Sequence, residues 1–267
     1  MAAGVAHQLG FAYVDSGSIY RAVALALGRE GVEETDDPRI PELLGALRLE
    51  VVPAGTRFEV RLGGIVLGDE IRTPEVTQAS SRFAVRRDVR ARVRELLREA
   101  AERGPLVVEG RDIGTAVFPD APLKLFVTAD LAVRARRRYL DLVRIGRETE
   151  EAEVAREMSE RDARDTSRSL APLRQAKDAV RFDTSEGTLE EQIAGIVELW
   201  SGRVSAAEGA AAGGADRGAN GVAADGAERG TGGREGGANG VAADGADGGT
   251  GGRADALDPR TDEDLTR

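Results

Sequence analysis

Four short apolar runs, each placed just ahead of a turn or a helical pattern, restrict this chain to a layered α/β architecture. Phe11-Ala12-Tyr13-Val14 leads through Asp15-Ser16-Gly17-Ser18 into a helical pattern over Ile19 to Gly28. Leu106 to Glu109 is bounded by Gly104-Pro105 and Gly110, and Leu123 to Thr128 runs into an arginine-crowded helical stretch, Ala129 to Ile145. Ala179 to Phe182 precedes Thr188-Leu189-Glu190-Glu191, a capping-box string that opens a helix through Trp200. Continuous rather than alternating apolar strands between helices belong to a parallel sheet covered on both faces.

One stretch departs from this rhythm. Leu49 to Val52, Arg57 to Leu62 and Ile65 to Leu67 predict a small antiparallel meander, with Gly63-Gly64 as the tight turn of its second hairpin. It reads as an insertion of about residues 47–72 in the α/β domain. Helices are expected after it, at about Thr73 to Ala84 and Arg87 to Arg103.

The 267 residues divide sharply in composition near residue 202. Residues 203–267 hold 17 of the 34 glycines and no aromatic residue. Gly218 to Ala227, GANGVAADGA, recurs at Gly237 to Ala246, a repeat at a period of 19. Such a tract buries too little apolar surface to offset its ordering entropy, so residues 203–267 are expected to form a disordered tail. The net charge of -10 argues against a general nucleic-acid or anionic-membrane surface. With no cysteine and one histidine, thiolate metal sites, disulfides and multi-histidine zinc sites are excluded. Any metal must sit on oxygen ligands, as magnesium does. No apolar run approaches the ~20 residues of a membrane span, and no secretory signal opens the chain, so a cytoplasmic protein is expected.

Polar strings at the ends of the apolar runs are the candidates for chemistry, because open parallel sheets bind ligands at the carboxyl ends of their strands. They are Asp15 to Arg21, Glu109 to Gly114, and Glu160 to Arg168, in which Arg161, Asp165 and Arg168 fall at i, i+4 and i+7 of a helix face. Each has a plainer reading: a helix cap at Asp15 or Ser16, a surface turn at Arg111-Asp112, a solvated face at Arg161, Asp165 and Arg168. Their co-occurrence favours a small-anion site, with carboxylates left to bind hydroxyls or base edges.

From Leu9 to Trp200 the chain resembles bacterial cytidylate kinase. The resemblance rests on Asp15-Ser16-Gly17-Ser18-Ile19-Tyr20-Arg21, on Gly68-Asp69-Glu70-Ile71-Arg72-Thr73-Pro74-Glu75-Val76, and on Glu109-Gly110-Arg111-Asp112-Ile113-Gly114-Thr115-Ala116-Val117-Phe118-Pro119-Asp120-Ala121. Arg161-Asp162-Ala163-Arg164-Asp165 and Ala171-Pro172-Leu173 extend it. It implies a P-loop-kinase-like parallel sheet with flanking helices over residues 1–202, and a lid over about 134–168. It further implies a cytoplasmic transferase of pyrimidine metabolism that moves the γ-phosphoryl group of ATP, with Mg2+, to CMP or dCMP, and works as a monomer without nucleic-acid or membrane partners. By the same resemblance Ser16, Ser81, Arg90 and Asp112 read cytosine, beside Asp15 and Tyr20. Arg21, Arg111 and Arg168 hold the acceptor phosphate, and Asp165, steadied by Arg161, binds the sugar hydroxyls. Arg111, Asp112 and Arg168 carry the catalytic roles, Arg134 and Arg138 face ATP from the lid, and no residue is assigned to the metal.

The family also begins with an apolar strand and a glycine-rich phosphate loop ending in Gly-Lys-Ser/Thr, whose amides, lysine and hydroxyl hold the donor phosphates and magnesium. These 267 residues contain no such string, and neither lysine, Lys124 nor Lys177, follows a suitable loop. Met1 to Ala6 matches the helix just after that loop. The expectation is therefore an N-terminally truncated or mis-started chain whose sheet lacks its central strand, between the strands at Leu106 and Leu123. Negligible kinase activity would follow. The alternative is a catalytically inactive CMP-binding remnant or a non-functional fragment.

Overall fold

The computed structural model of the protein describes residues 1–32, 37–211 and 222–229. The chain begins with helix α1 (Ala2–Leu9), which passes through left-handed Gly10 into β1 (Ala12–Asp15) and α2 (Ser16–Arg29). After α3 (Ile40–Ala46), the meander β2 (Leu49–Ala54), β3 (Arg57–Leu62) and β4 (Ile65–Val66) follows. Gly63 and Gly64 adopt φ of 61° and 82°, the paired positive angles that a two-residue hairpin of this hand requires. A 3-10 turn at Asp69–Arg72 leads to α4 (Pro74–Phe83) and α5 (Arg87–Ala101). Then come β5 (Leu106–Gly110), a π-helical turn (Ile113–Val117), β6 (Leu123–Asp130), α6 (Leu131–Arg144) and α7 (Glu151–Ser167). The last elements are β7 (Val180–Asp183), α8 (Leu189–Ala211) and β8 (Val222–Arg229).

The protein is mixed α/β, with a mostly parallel sheet flanked by helices. The sheet order is β2-β3-β1-β5-β8-β6-β7, with β4 beside β3. β1, β5, β8, β6 and β7 are mutually parallel, and the antiparallel meander joins them at β1 through Tyr13 opposite Arg57. Val14, Val108 and Ile113 pack on one face with Ile19 and Val23 of α2 and Val93 and Leu97 of α5. On the other, Val107, Leu125 and Val127 meet Val5 and Ala6 of α1 and Ile193 and Trp200 of α8. Phe11 meets the Trp200 ring edge-on, centroids 5.3 Å apart. The capping box is formed as expected: Glu191 N–H donates to Thr188 Oγ1 (3.2 Å), and Thr188 N–H donates to Glu191 Oε2 (2.8 Å).

The expected gap between β5 and β6 is filled. β8 lies between them, Val107 to Gly110 against Val222 to Asp225 on one side and Leu123 to Asp130 against Val222 to Arg229 on the other. β8 thus stands where the resemblance expects the family's first strand, and within the stretch expected as tail α8 reaches Ala211 and β8 spans 222–229. The physical reason is the demand of two facing strand edges, whose buried N–H and C=O groups each cost free energy when unpaired. The Val-Ala-Ala run supplies that backbone with side chains small enough for the interior. Ala223 is 2% exposed and joins the α2–α5 face, while Ala224 packs on the α1–α8 face. The rest of the proposed tail, including the second copy of the repeat, lies outside the described residues. Among the described residues, no helix is long and apolar enough to cross a membrane.

Candidate active site

The strand ends carry a connected set of arginines and carboxylates. Asp15 caps α2 by accepting from Gly17 N–H at 2.8 Å, and its other oxygen takes Arg21 Nη2 at 2.8 Å. The same aspartate is therefore both cap and ion-pair partner, so the plainer reading and the functional one hold together. Behind it, Ser16 is buried against Gly110: a Cβ on Gly110 would lie 2.4 Å from Ser16 Oγ and 2.7 Å from the Ile113 side chain. Only glycine fits this close approach of β5 to the head of α2.

Beyond Gly110 the chain turns through Arg111 and Asp112. Asp112, 4% exposed, accepts from Arg90 Nη2 of α5, and Arg90 Nη1 donates to the Ala84 carbonyl at 3.1 Å. The Arg90 guanidinium also lies over the Tyr20 ring, 5.8 Å from its centroid. Burial is the main force on the Tyr20 phenol, pushing its pKa up to about 12 despite the nearby Arg90 cation. Burial alone would lower the pKa of Arg90, but the neighbouring Tyr20 and Asp112 more than offset it and the pKa is raised. Ser81 is half-buried on α4, which packs against α2.

The second half of the site comes from the end of α7. Arg111 Nε donates to Asp165 Oδ2 at 2.8 Å, and Arg168 Nη1 approaches Asp165 Oδ1 at 3.4 Å. Burial works to raise the pKa of Asp165, yet Arg111, Arg168 and Arg161 together hold it below the ordinary carboxylate value. Arg168 is shifted down, first by burial. The expected helix face of Arg161, Asp165 and Arg168 is only partly realised. α7 ends at Ser167, so Arg168 is the extended C-cap residue and returns to Asp165 from outside the helix. Its Nε donates to the carbonyl of Ala171 at 2.6 Å, and Ala171 holds φ of 47°, a costly angle for a residue with a Cβ. Arg161 is exposed and acts on Asp165 through its charge.

Two guanidinium donors here are buried without a hydrogen-bond acceptor among the described residues: Arg21 Nε and Arg168 Nη2. The lid arginines differ from this pattern. Arg134 is buried, donating to the Ala129 carbonyl (3.2 Å) and to Asp162 of α7 (3.3 Å), so it ties α6 to α7. Arg138 is exposed on the same helix.

Glu109 and Tyr13 belong to the site region although sequence reasoning gave neither a role. Tyr13 Oη donates to Glu109 Oε1 at 2.5 Å across β1 and β5. Burial lowers the pKa of the Met1 amino group, and the charge of Glu109 partly offsets that. The signal for Glu109 was present, a carboxylate ending an otherwise apolar strand. Its partner was not, because nothing in the local sequence relates positions 13 and 109.

Comparison with known proteins identifies the family. A family model described as Cytidylate kinase matches residues 1–201. The chain is 40% identical over 204 residues to the cytidylate kinase of Desulfitobacterium hafniense, covering 76% of this chain and 88% of that protein. It is 41% identical over 199 residues to that of Bordetella bronchiseptica, covering 73% and 86%. A bifunctional pantoate ligase/cytidylate kinase of Synechocystis is 40% identical over 199 residues, 73% of this chain but 39% of that larger protein. With a family model matched over residues 1–201 and relatives 40–41% identical along most of their length, the chain belongs to the cytidylate kinase family.

Proposed function

We propose that the cluster built on Asp112, Asp165 and their arginines is the acceptor site of a nucleoside monophosphate kinase acting on CMP and dCMP in the cytoplasm, as a monomer. The observation that carries this reading is the pair of buried donors without acceptors, Arg21 Nε and Arg168 Nη2, beside arginines already held by carboxylates. Buried donors without partners are costly, and a phosphate group satisfies several at once with charge-assisted bonds. In this reading Arg21, Arg111 and Arg168 take the acceptor phosphate, and Asp165 accepts from the sugar hydroxyls while keeping Arg111 and Arg168 in place. Arg90 and Asp112, flanked by Ser16 and Ser81, present a donor and an acceptor side by side, the complement of cytosine's carbonyl and amino group. Uracil, with no amino group to donate, leaves Asp112 unsatisfied.

Kinases of this kind use ATP with a divalent metal, here Mg2+. Among the described residues no group of three acidic or histidine side chains could cage a metal. In this reading the ion takes its ligands chiefly from nucleotide phosphates and water. Such an ion, when bound, neutralises charge on the transferred phosphoryl group. Arg111 and Arg168 would align the acceptor phosphate for attack, Asp112 would fix the acceptor through its base, and Arg134 or Arg138 would approach from α6.

A second reading is favoured by one specific observation. The 267 residues contain no Gly-x-x-x-x-Gly-Lys-Ser/Thr string, and β8 takes the central place in the sheet. The purified 267-residue chain is therefore expected to bind CMP with little or no turnover. Calorimetry with CMP and UMP, run beside an assay for CDP formation, separates the readings. CMP binding without CDP supports a CMP-binding protein, and CDP formation at kinase rates supports the enzyme. Failure to discriminate CMP from UMP refutes the assigned cytosine pocket.

A further inference from the structure

Between α7 and β7 the chain makes a short return that its local sequence does not favour. Ala171 holds φ of 47° although it carries a Cβ and precedes Pro172, and a following proline pushes a residue toward extended backbone. Such a conformation persists only where the surroundings hold it on both sides. Downstream, Leu173 donates its N–H to the Asp165 carbonyl at 2.9 Å and buries its side chain, 1% exposed, in a cluster with Phe126. Upstream, Arg168 is the extended C-cap of α7, tied by its own N–H to the Arg164 carbonyl at 3.1 Å. Residues 169–172 close the loop between these anchors, and Ala171 closes it with its carbonyl accepting from Arg168 Nε at 2.6 Å.

The strained residue has a counterpart in the guanidinium it faces. Nε of Arg168 is held by Ala171 and Nη1 lies 3.4 Å from Asp165 Oδ1, while Nη2 is buried with no acceptor among the described residues. A planar guanidinium fixed at Nε and at one Nη has no rotation left, so the direction of the other Nη is set. The geometry points to Ala171 as a positioning residue for Arg168: its left-handed backbone turns a neutral carbonyl onto Nε and thereby aims Nη2 at the acceptor phosphate. The inference rests on the acceptor-site reading above and adds to it a residue with no side-chain chemistry of its own. A neutral acceptor suits the task, because a further carboxylate at that point would repel the phosphate.

Two substitutions at Ala171 and two ligands test this. Glycine adopts positive φ without steric cost, whereas a β-branched residue is a genuine outlier there. Ala171→Val should therefore turn the carbonyl away from Nε, and Ala171→Gly should keep it. Calorimetry with CMP, and with cytidine, which lacks the phosphate, reads the consequence. Loss of one hydrogen bond to a charged group corresponds to about ten-fold in affinity. A171V should bind CMP about ten-fold more weakly and cytidine as the parent does, while A171G retains the parent's affinity for both. In an Arg168→Met background the effect of A171V on CMP should vanish, because the group being positioned is gone.

An A171V protein as selective for CMP over cytidine as the parent overturns the inference. So does a loss of CMP affinity that is as large in the R168M background as in the parent, since Ala171 would then act on the fold and not on Arg168. A parent that does not prefer CMP to cytidine overturns the acceptor-phosphate reading itself, which separates the two failures. If A171V does not fold, as followed by Trp200 fluorescence, nitrogen NMR of the arginine side chains decides in its place. The Arg168 Nε–H, assigned by its loss in R168M, should be protected from solvent exchange in the parent and in A171G. Exchange at the rate of a free arginine in either protein would overturn the inference.

Discussion

Asp165 stands between Arg111 and Arg168, and an Asp165→Asn substitution keeps its shape while removing its charge. The loss leaves two half-buried guanidinium groups without their shared counter-charge. Breaking a buried ion pair costs about 3–5 kcal/mol. The side chain of Asp165 retains 13% exposure, so the low end, about 3 kcal/mol, applies. For a domain of this size that lowers Tm by about 6–12 °C at neutral pH. The pH dependence makes the test specific. The folded pKa of Asp165 lies below its unfolded value, so its contribution is fully present above the ordinary carboxylate range and disappears as pH falls through the depressed folded value. Once protonated, the parent side chain is a neutral isostere of asparagine, and the two proteins should converge. Thermal melts of both proteins from pH 7 down to pH 3, followed by the fluorescence of Trp200, measure the difference directly. Equal Tm values at neutral pH, or a gap that persists unchanged in acid, would refute the assignment of Asp165 as the charged link.

Two further outcomes follow from local geometry. Gly110→Ala forces a Cβ to within 2.4 Å of Ser16 Oγ and 2.7 Å of Ile113, and overpacking of this kind costs about 1–3 kcal/mol. Denaturant melts should show that loss, and CMP binding by calorimetry should weaken with it because Ser16 must move. Thr188→Ala removes the hydroxyl that caps α8 and should cost about 1 kcal/mol without affecting CMP affinity, since it lies outside the cluster.

Much of the frame is legible in the sequence because it depends on local rules. The apolar runs at Leu106 and Leu123 can only be buried strands, Gly63-Gly64 can only be a tight turn, and Thr188 to Glu191 announces a helix start. Short α3 and the π-helical turn at Ile113–Val117 carry no comparable pattern, and tertiary packing decides them. The site was legible as a set of residue types but not as a set of pairs. Arg111 meets Asp165 and Arg90 meets Asp112 because sheet and helix ends converge, and sequence spacing holds no trace of that. Arg168 illustrates the limit of helical periodicity, which placed it on a face of α7 that the helix does not extend far enough to form. β8 was illegible for a different reason. Val-Ala-Ala-Asp-Gly-Ala has little intrinsic strand preference, and what makes it a strand is the pair of open edges awaiting it.

The position of β8 in the sheet also has a consequence for how the protein is made. Among the described residues, the strand at the centre of the parallel sheet is the last to leave the ribosome, about 100 residues after β6 is complete. At about 5–20 residues per second, β5 and β6 are synthesised about 5–20 s before β8 is available to pair with them. Until β8 arrives, their facing edges present N–H and C=O groups open to pairing with other chains. Yield during expression should therefore depend on translation speed and on chaperones that cover strand edges, more than the stability of the finished protein would suggest.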